Sequence, residues 1–90
     1  MIYRSKQGDL DLSKITRLYP AVVIEMDGEV AEMSLEWIEL NGDKVNIRSY
    51  VLVFDFAPLN EELKDRVVLE FETKDELFET MSEVAQLLQN

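Results

Sequence analysis

The last eighteen residues, 73–90, constrain the fold most strongly, because their pattern predicts one amphipathic helix with a defined start. Thr73 and Glu76 have the spacing of a capping box, and the acids of the first turn suit the positive end of a helix dipole. Apolar side chains then recur with a helical period, and Phe78 widens the stripe. The stripe consists of Leu77, Met81, Val84, Ala85 and Leu88. A helix with one apolar face must pack against another part of the fold.

The rest of the chain is long enough to supply one core for that helix. Its 90 residues are 47% apolar, and no linker or repeat divides them, so we expect a single domain over residues 1–90. Cysteine and histidine are both absent, which removes disulfides, the usual zinc, copper and haem ligands and the commonest general base. Only metals with oxygen ligands remain open, and we expect no metal and no cofactor. Since no apolar run approaches a membrane span, we also expect a cytoplasmic protein without membrane insertion.

Turn signals divide the region before the helix into short antiparallel strands. Asp27-Gly28 and Asn41-Gly42 predict two hairpin turns, because these residues adopt positive φ at little cost. The predicted strands include 20–26, 29–40 with a bulge near Trp37 and Ile38, 44–56 with a break near Ser49, and 67–72. We predict an α+β fold, in which an antiparallel bent sheet or half-barrel of six or seven strands is capped by the C-terminal helix.

One stretch near the N-terminus is open to two interpretations. Leu10 and Leu12 alternate as in a strand, but Ile15 does not continue that register. We favour a turn at Ser13-Lys14 between two strands. Alternatively, Asp11 caps a single helical turn that directs Leu12 and Ile15 inward.

Two segments carry a family resemblance. Residues 10–15 look like a short strand and turn that lead into a longer strand, and residues 67–77 look like a last strand that runs into a capping helix. The order of elements resembles the pleckstrin-homology-like (PH-like) superfold in its small bacterial form. This resemblance implies a binding scaffold and names no ligand, because the fold serves unrelated functions. Lipid-binding members of the superfold carry several basic residues on the first strand and the loop after it. In this chain neutral and acidic residues follow Arg4 and Lys6, so phosphoinositide binding is not expected.

Charge favours some partners over others. The formal net charge is −10, with +2 over residues 1–20 and −6 over each of the segments 21–59 and 60–90. Such a field repels nucleic acid and anionic membranes and attracts a basic partner. We therefore expect a protein or peptide partner and no direct binding of nucleic acid.

Carboxylates are the first group of candidate site residues. Pairs such as Glu61 and Glu62, in the predicted polar connection 58–65, are expected by chance in so acidic a chain, and we predict no catalytic residues. Asp9, Asp11 and Ser13 alternate like calcium ligands but lack the loop glycine and the final glutamate, which favours a turn.

Apolar side chains lie on both faces of residues 50–56, more than a sheet with one covered face needs. They are either covered within the monomer, which we favour, or form a homodimer or partner surface. The possible interaction surface consists of Tyr50, Leu52, Phe54, Phe56 and Leu87.

Three functions are compatible with these patterns. The leading hypothesis is a non-catalytic protein or peptide interaction module that uses an open sheet edge or the groove beside the helix. The second is an acidic decoy for a basic or nucleic-acid-binding protein, whose complexes dissolve as salt is raised. The third is a small enzyme that uses carboxylates alone, which would need a pocket lined by buried acids.

Overall fold

A computed structural model describes residues 1–56 and 66–89. This part of the chain is α+β and holds six antiparallel strands in two sheets together with two α-helices. The strands are β1 (Ile2–Ser5), β2 (Gly8–Asp11), β3 (Arg17–Met26), β4 (Glu29–Met33), β5 (Asn46–Asp55) and β6 (Arg66–Phe71). The helices are α1 (Leu35–Asn41) and α2 (Lys74–Gln89), and short 3-10 turns span Leu12–Lys14 and Gly42–Lys44. No described helix is both long enough and apolar enough to cross a membrane.

The strands do not form one sheet. Strands β1 and β2 form a separate hairpin, and the other four pair in the order β4-β3-β5-β6, with every neighbouring pair antiparallel. The sheets are not closed into a barrel. The predicted α+β class is confirmed, whereas the single bent sheet is corrected to two sheets. The predicted polar connection at 58–65 lies outside the described residues.

The turn between β3 and β4 is the predicted hairpin turn. Asp27 has φ 53° and Gly28 has φ 80°, both in the left-handed region that a tight two-residue hairpin requires. Glycine adopts a positive φ without steric strain and aspartate tolerates it, so the local sequence is sufficient to place this turn.

The prediction of a strand over residues 29–40 is confirmed up to Met33 and wrong beyond it. Strand β4 ends at Met33, and Ser34 caps helix α1 by accepting a hydrogen bond from the Trp37 backbone N–H at 3.1 Å. The phase slip at Trp37 is therefore a change from strand to helical period, with no bulge there. Asn41-Gly42 is also not a hairpin turn, because Gly42 has a helical φ of −58° and the chain continues into a 3-10 turn.

The predicted break near Ser49 was wrong as well. Strand β5 runs without interruption, and its register against β3 shifts between the pairs Val23–Ser49 and Ile24–Ile47. Arg48 is thus an extra residue in the ladder, which is the geometry of a β-bulge. A bulge changes the side-chain alternation without ending the strand.

Both interpretations of the N-terminal stretch hold in part, because the turn at Ser13-Lys14 lies between strands β2 and β3 and is a single 3-10 turn. The Asp11 carboxylate accepts a hydrogen bond from the Ser13 backbone N–H at 3.1 Å and caps the 3-10 turn at Leu12–Lys14. Leu12 is buried, and Ile15 is half-buried against the core. The turn directs both apolar side chains inward, as the alternative interpretation required.

The predicted C-terminal helix is confirmed, together with its start. The Thr73 hydroxyl accepts a hydrogen bond from the Glu76 backbone N–H at 3.2 Å and donates one to the Glu76 carboxylate at 3.1 Å. Leu77 and Val84 of α2 are both 0% exposed. The core they join draws on the β1–β2 hairpin and on strands β5 and β6, with the buried members Leu10, Leu12, Leu52, Phe54, Leu69, Phe71, Leu77 and Val84.

The four-stranded sheet is apolar on its second face too. Ala21, Val51 and Val53 are buried there, with half-buried Tyr19 and Val68 packed against them. The apolar side chains on both faces of residues 50–56 are therefore buried or half-buried within the chain.

Candidate functional site

An apolar groove runs between the first half of β3 and helix α2. Its cavity volume is about 180 Å³. The residues that line it are all uncharged: Leu18, Tyr19, Pro20, Leu52, Met81, Ala85 and Leu88. We call this cavity the α2 groove. It is more apolar than the two other clefts described below.

Helix α2 forms one wall of the groove because its apolar stripe is wider than its contact with the sheet. Leu77 and Val84 bury completely, whereas Leu88, in the same predicted stripe, stays 43% exposed. Met81, Ala85 and Leu88 recur at offsets of four and three residues and so share one flank of the helix. That flank overhangs β3, which leaves apolar surface uncovered beside the core.

Strand β3 forms the other wall at a point where it has only one described strand neighbour. Strand β4 pairs with Val22–Met26 alone, so residues 17–21 pair with β5 on one side only. Pro20 lies in this part, which explains how a proline fits into a strand that is central elsewhere in the sheet. Because proline lacks a backbone N–H, this edge is poorly suited to adding another strand. The groove is therefore a site for side chains.

The predicted interaction surface mostly belongs to the core. Leu52 is 1% exposed and forms part of the groove lining, and Phe54 is 0% exposed with its ring stacked on Tyr3 at a centroid distance of 6.2 Å. Tyr50, Phe56 and Leu87 are half-buried against the same core. The structure thus brings Leu52 alone of these five to the groove.

Sequence reasoning missed most of the groove. Ala85 and Leu88 were assigned to the buried stripe, and Leu18 was given no role. A hydrophobic period shows which residues share a helix face, but it does not show which flank of that face meets the sheet. One signal was present, since the predicted stripe with Phe78 is broader than a single line of contact needs.

Charged groups contact aromatic rings on the same elements, at Tyr19 on the second face of the sheet and at Phe78 on α2. The Arg66 guanidinium donates to the Tyr19 hydroxyl at 3.0 Å, and that of Arg17 lies over the Tyr19 ring at 5.1 Å. Lys74 lies over the exposed Phe78 ring at 5.7 Å. The rest of the charge on α2 is negative, from Asp75, Glu76, Glu79 and Glu83.

Two groups near the N-terminal hairpin have perturbed acidities. Burial raises the pKa of Tyr3, and the nearby negative charge of Glu83 on α2 raises it further. Hydrogen bonds from the Ser13 side chain and backbone lower the pKa of Asp11, which favours its charged form. The first effect reflects the packing of the hairpin against α2, and the second reflects the cap of the 3-10 turn.

Two other clefts have charged side chains in their linings, and some of these already have partners. One, of about 450 Å³, lies beside Lys6, Arg48 and Glu70. In it the Lys6 ammonium group contacts the Glu70 backbone carbonyl, and Arg48 pairs with Glu25 at 2.7 Å. The other, of about 350 Å³, lies beside the β3–β4 turn. Charges of both signs line each cleft, so neither selects a ligand of one sign.

Acidic residues do not converge on a reaction centre within residues 1–56 and 66–89. Every Asp and Glu there is exposed or half-buried, and no group of three potential metal ligands occurs among these residues. Among Asp9, Asp11 and Ser13, which alternate like calcium ligands, Asp11 caps the 3-10 turn. Glu61 and Glu62 lie outside the described residues.

Comparison of the chain with protein-family models, curated proteins and solved structures found no match.

Proposed function

We propose that this chain is a non-catalytic interaction module that binds a basic amphipathic segment of a partner protein, with an apolar side chain of that segment seated in the α2 groove. The observation that carries this proposal is the groove itself, an uncharged apolar cavity on a chain of net charge −10. Apolar anchors in pockets supply most of the affinity at interfaces, and charge complementarity around them supplies orientation and association rate.

Its size favours a side-chain anchor over a free small molecule. The cavity holds about 180 Å³, and pockets for small molecules typically hold about 300–1,000 Å³. The lining offers Leu18, Met81 and Leu88 for contact and no charged group for orientation. An apolar side chain of the partner gains binding free energy when it leaves water and enters the groove, while the polar backbone of the partner stays outside.

Acids on the outer turns of α2 indicate a basic segment. Asp75, Glu76, Glu79 and Glu83 outnumber the single base Lys74 on this helix. These carboxylates do not line the groove, and Glu83 lies near Tyr3 of the hairpin, so they act on a partner through the general negative field of the chain. The net charge of the chain attracts the same partner at long range.

A PH-like scaffold remains part of this proposal. A C-terminal helix that packs on an antiparallel sheet and leaves a groove beside it supports that assignment, whereas helix α1 and the separate β1–β2 hairpin were not expected from it. Catalysis by carboxylates is not proposed, because each described Asp and Glu lacks the burial that prepares a carboxyl group for acid–base work.

Selection from a peptide library tests the proposal even when the natural partner is unidentified. Random 12-residue peptides displayed on phage are selected on the immobilised chain, and a selected peptide is synthesised for titration. We expect sequences that combine a large apolar residue with lysine or arginine. Acidic or purely polar selected sequences would contradict the proposal.

Two matched substitutions on α2 locate the binding site. Ala85→Glu and Gln86→Glu each add one negative charge at an exposed helix position, but only Ala85 lines the groove. We expect Ala85→Glu to weaken the selected peptide at least about tenfold, because it places a charge in the apolar cavity. Gln86→Glu should leave affinity unchanged or slightly higher. Equal effects of both variants would show that the groove is not the site.

Salt separates this proposal from the acidic-decoy hypothesis. The Debye length falls from about 10 Å at 0.1 M salt to about 3 Å at 1 M. A decoy loses its partner as salt rises over this range, whether or not the chain carries Ala85→Glu. A peptide anchored in the groove keeps measurable affinity at high salt and remains sensitive to Ala85→Glu.

A further inference from the structure

The four-stranded sheet has two outer edges, and one of them is already covered. At β6, the Gln7 side-chain amide donates to the Val68 backbone carbonyl at 2.8 Å, and the Lys6 ammonium group contacts the carbonyl of Glu70. The Lys6 ammonium also lies over the Phe71 ring at 4.6 Å. The tip of the β1–β2 hairpin therefore occupies acceptors that an added strand would need.

The other outer edge, on β4, is open in the described part of the chain. Strand β4 pairs with β3 alone, and four of its five residues are exposed. No backbone hydrogen bond outside the β3 ladder involves Glu29–Met33 among the described residues. Two apolar side chains near it are exposed, Val30 on β4 and Met26 on the neighbouring strand β3.

This end of the sheet has little cover from the other elements. Residues 25–32 and 46–48 are almost all exposed, so the distal ends of β3, β4 and β5 have little cover. An exposed strand edge that is flanked by apolar side chains is suited to strand addition.

Charge decides which strand can add. Glu29 and Glu32 lie on β4, and Asp27 lies at its hairpin turn. Two copies of this edge would bring these carboxylates together, and like charges on neighbouring strands are unfavourable. We propose that the outer edge of β4 is a strand-addition site for an extended, basic segment of a partner protein. This site is separate from the α2 groove and does not depend on it.

Synthetic peptides with alternating residues provide the probe. An eight-residue lysine–valine repeat is added to the full chain, and a glutamate–valine repeat serves as the charge-reversed control. Amide hydrogen exchange, followed by NMR, is expected to slow at one or more residues of β4 with the lysine peptide only. Binding without protection of β4 amides would overturn the proposal, because charge attraction alone forms no backbone hydrogen bonds.

Two double variants separate local from global charge. Glu29→Lys with Glu32→Lys reverses the edge, and Glu36→Lys with Glu39→Lys makes the same charge change on α1. We expect the first pair to weaken the lysine peptide at least about tenfold and the second to weaken it far less. Equal losses would overturn the proposal. Ala85→Glu should leave this binding intact, so the result is independent of the α2 groove.

Discussion

Replacing Leu77 by alanine is expected to destabilise the chain far more than replacing Leu88 by alanine, although both residues belong to one helical stripe. Leu77 is 0% exposed, and Leu88 is 43% exposed at the rim of the groove. A buried Leu→Ala change removes apolar contacts and leaves a cavity, at a cost of about 2–5 kcal/mol. A chain of 90 residues has a total stability of roughly 5–13 kcal/mol. Leu77→Ala therefore removes a large share of it.

Urea denaturation followed by circular dichroism measures this difference. We expect a lower midpoint with an unchanged m-value for Leu77→Ala, since the native and unfolded surfaces change little. The thermal midpoint should fall by at least about 10 °C, because 1 kcal/mol corresponds to about 4–8 °C in a domain of this size. For Leu88→Ala we expect a loss of about 1 kcal/mol or less, because this side chain keeps much of its water contact.

The comparison of the two variants can refute this reasoning. Equal destabilisation would mean that Leu88 is as buried as Leu77 and that no apolar flank remains for a groove. A negligible effect of Leu77→Ala would mean that α2 does not pack on the sheet at all, and the core described above would then be wrong.

Two further predictions concern capping interactions. Thr73→Ala should cost about 1 kcal/mol of unfolding free energy, because it removes the N-cap of α2, while Thr73→Ser should retain most of it; equal urea midpoints for the two variants would argue against the capping box. Because Ser13 lowers the pKa of Asp11 below its usual 3.8, the stability that ionised Asp11 contributes is present above that value and is lost as pH falls through the lowered pKa. Ser13→Ala should raise the Asp11 pKa in a carboxyl NMR titration, and an unchanged value would contradict the assignment.

Local signals predicted the elements whose boundaries depend on a few neighbouring residues. The Asp27-Gly28 turn is set by the φ angles these two residues accept, and the start of α2 by the hydrogen bonds between Thr73 and Glu76. Strand β6 alternates cleanly because only one of its faces is deeply buried. In each case one local conformation had a lower free energy than the alternatives.

Elements that depend on distant partners were not predicted. The phase slip at Trp37 fits both a bulge in a strand and the start of a short helix, and the Ser34 cap that decides between them is a common residue. The order β4-β3-β5-β6 depends on which strands pair although they are distant in sequence, as β3 and β5 are, and single-sequence patterns do not contain that information. The groove has the same origin, since it depends on how far α2 is offset on the sheet.

Helix α2 links stability to the proposed function. A ligand in the groove contacts Leu18 and Pro20 on β3 together with Met81 and Leu88 on α2, so it binds only when the helix is docked. Binding to the native state alone stabilises it, by about 2.7 kcal/mol at a ligand concentration of 100 times Kd. That gain is comparable to the cost expected for Leu77→Ala. A groove ligand should therefore restore much of the stability which that variant loses, whereas a strand added at β4 should not require the docked helix in this way.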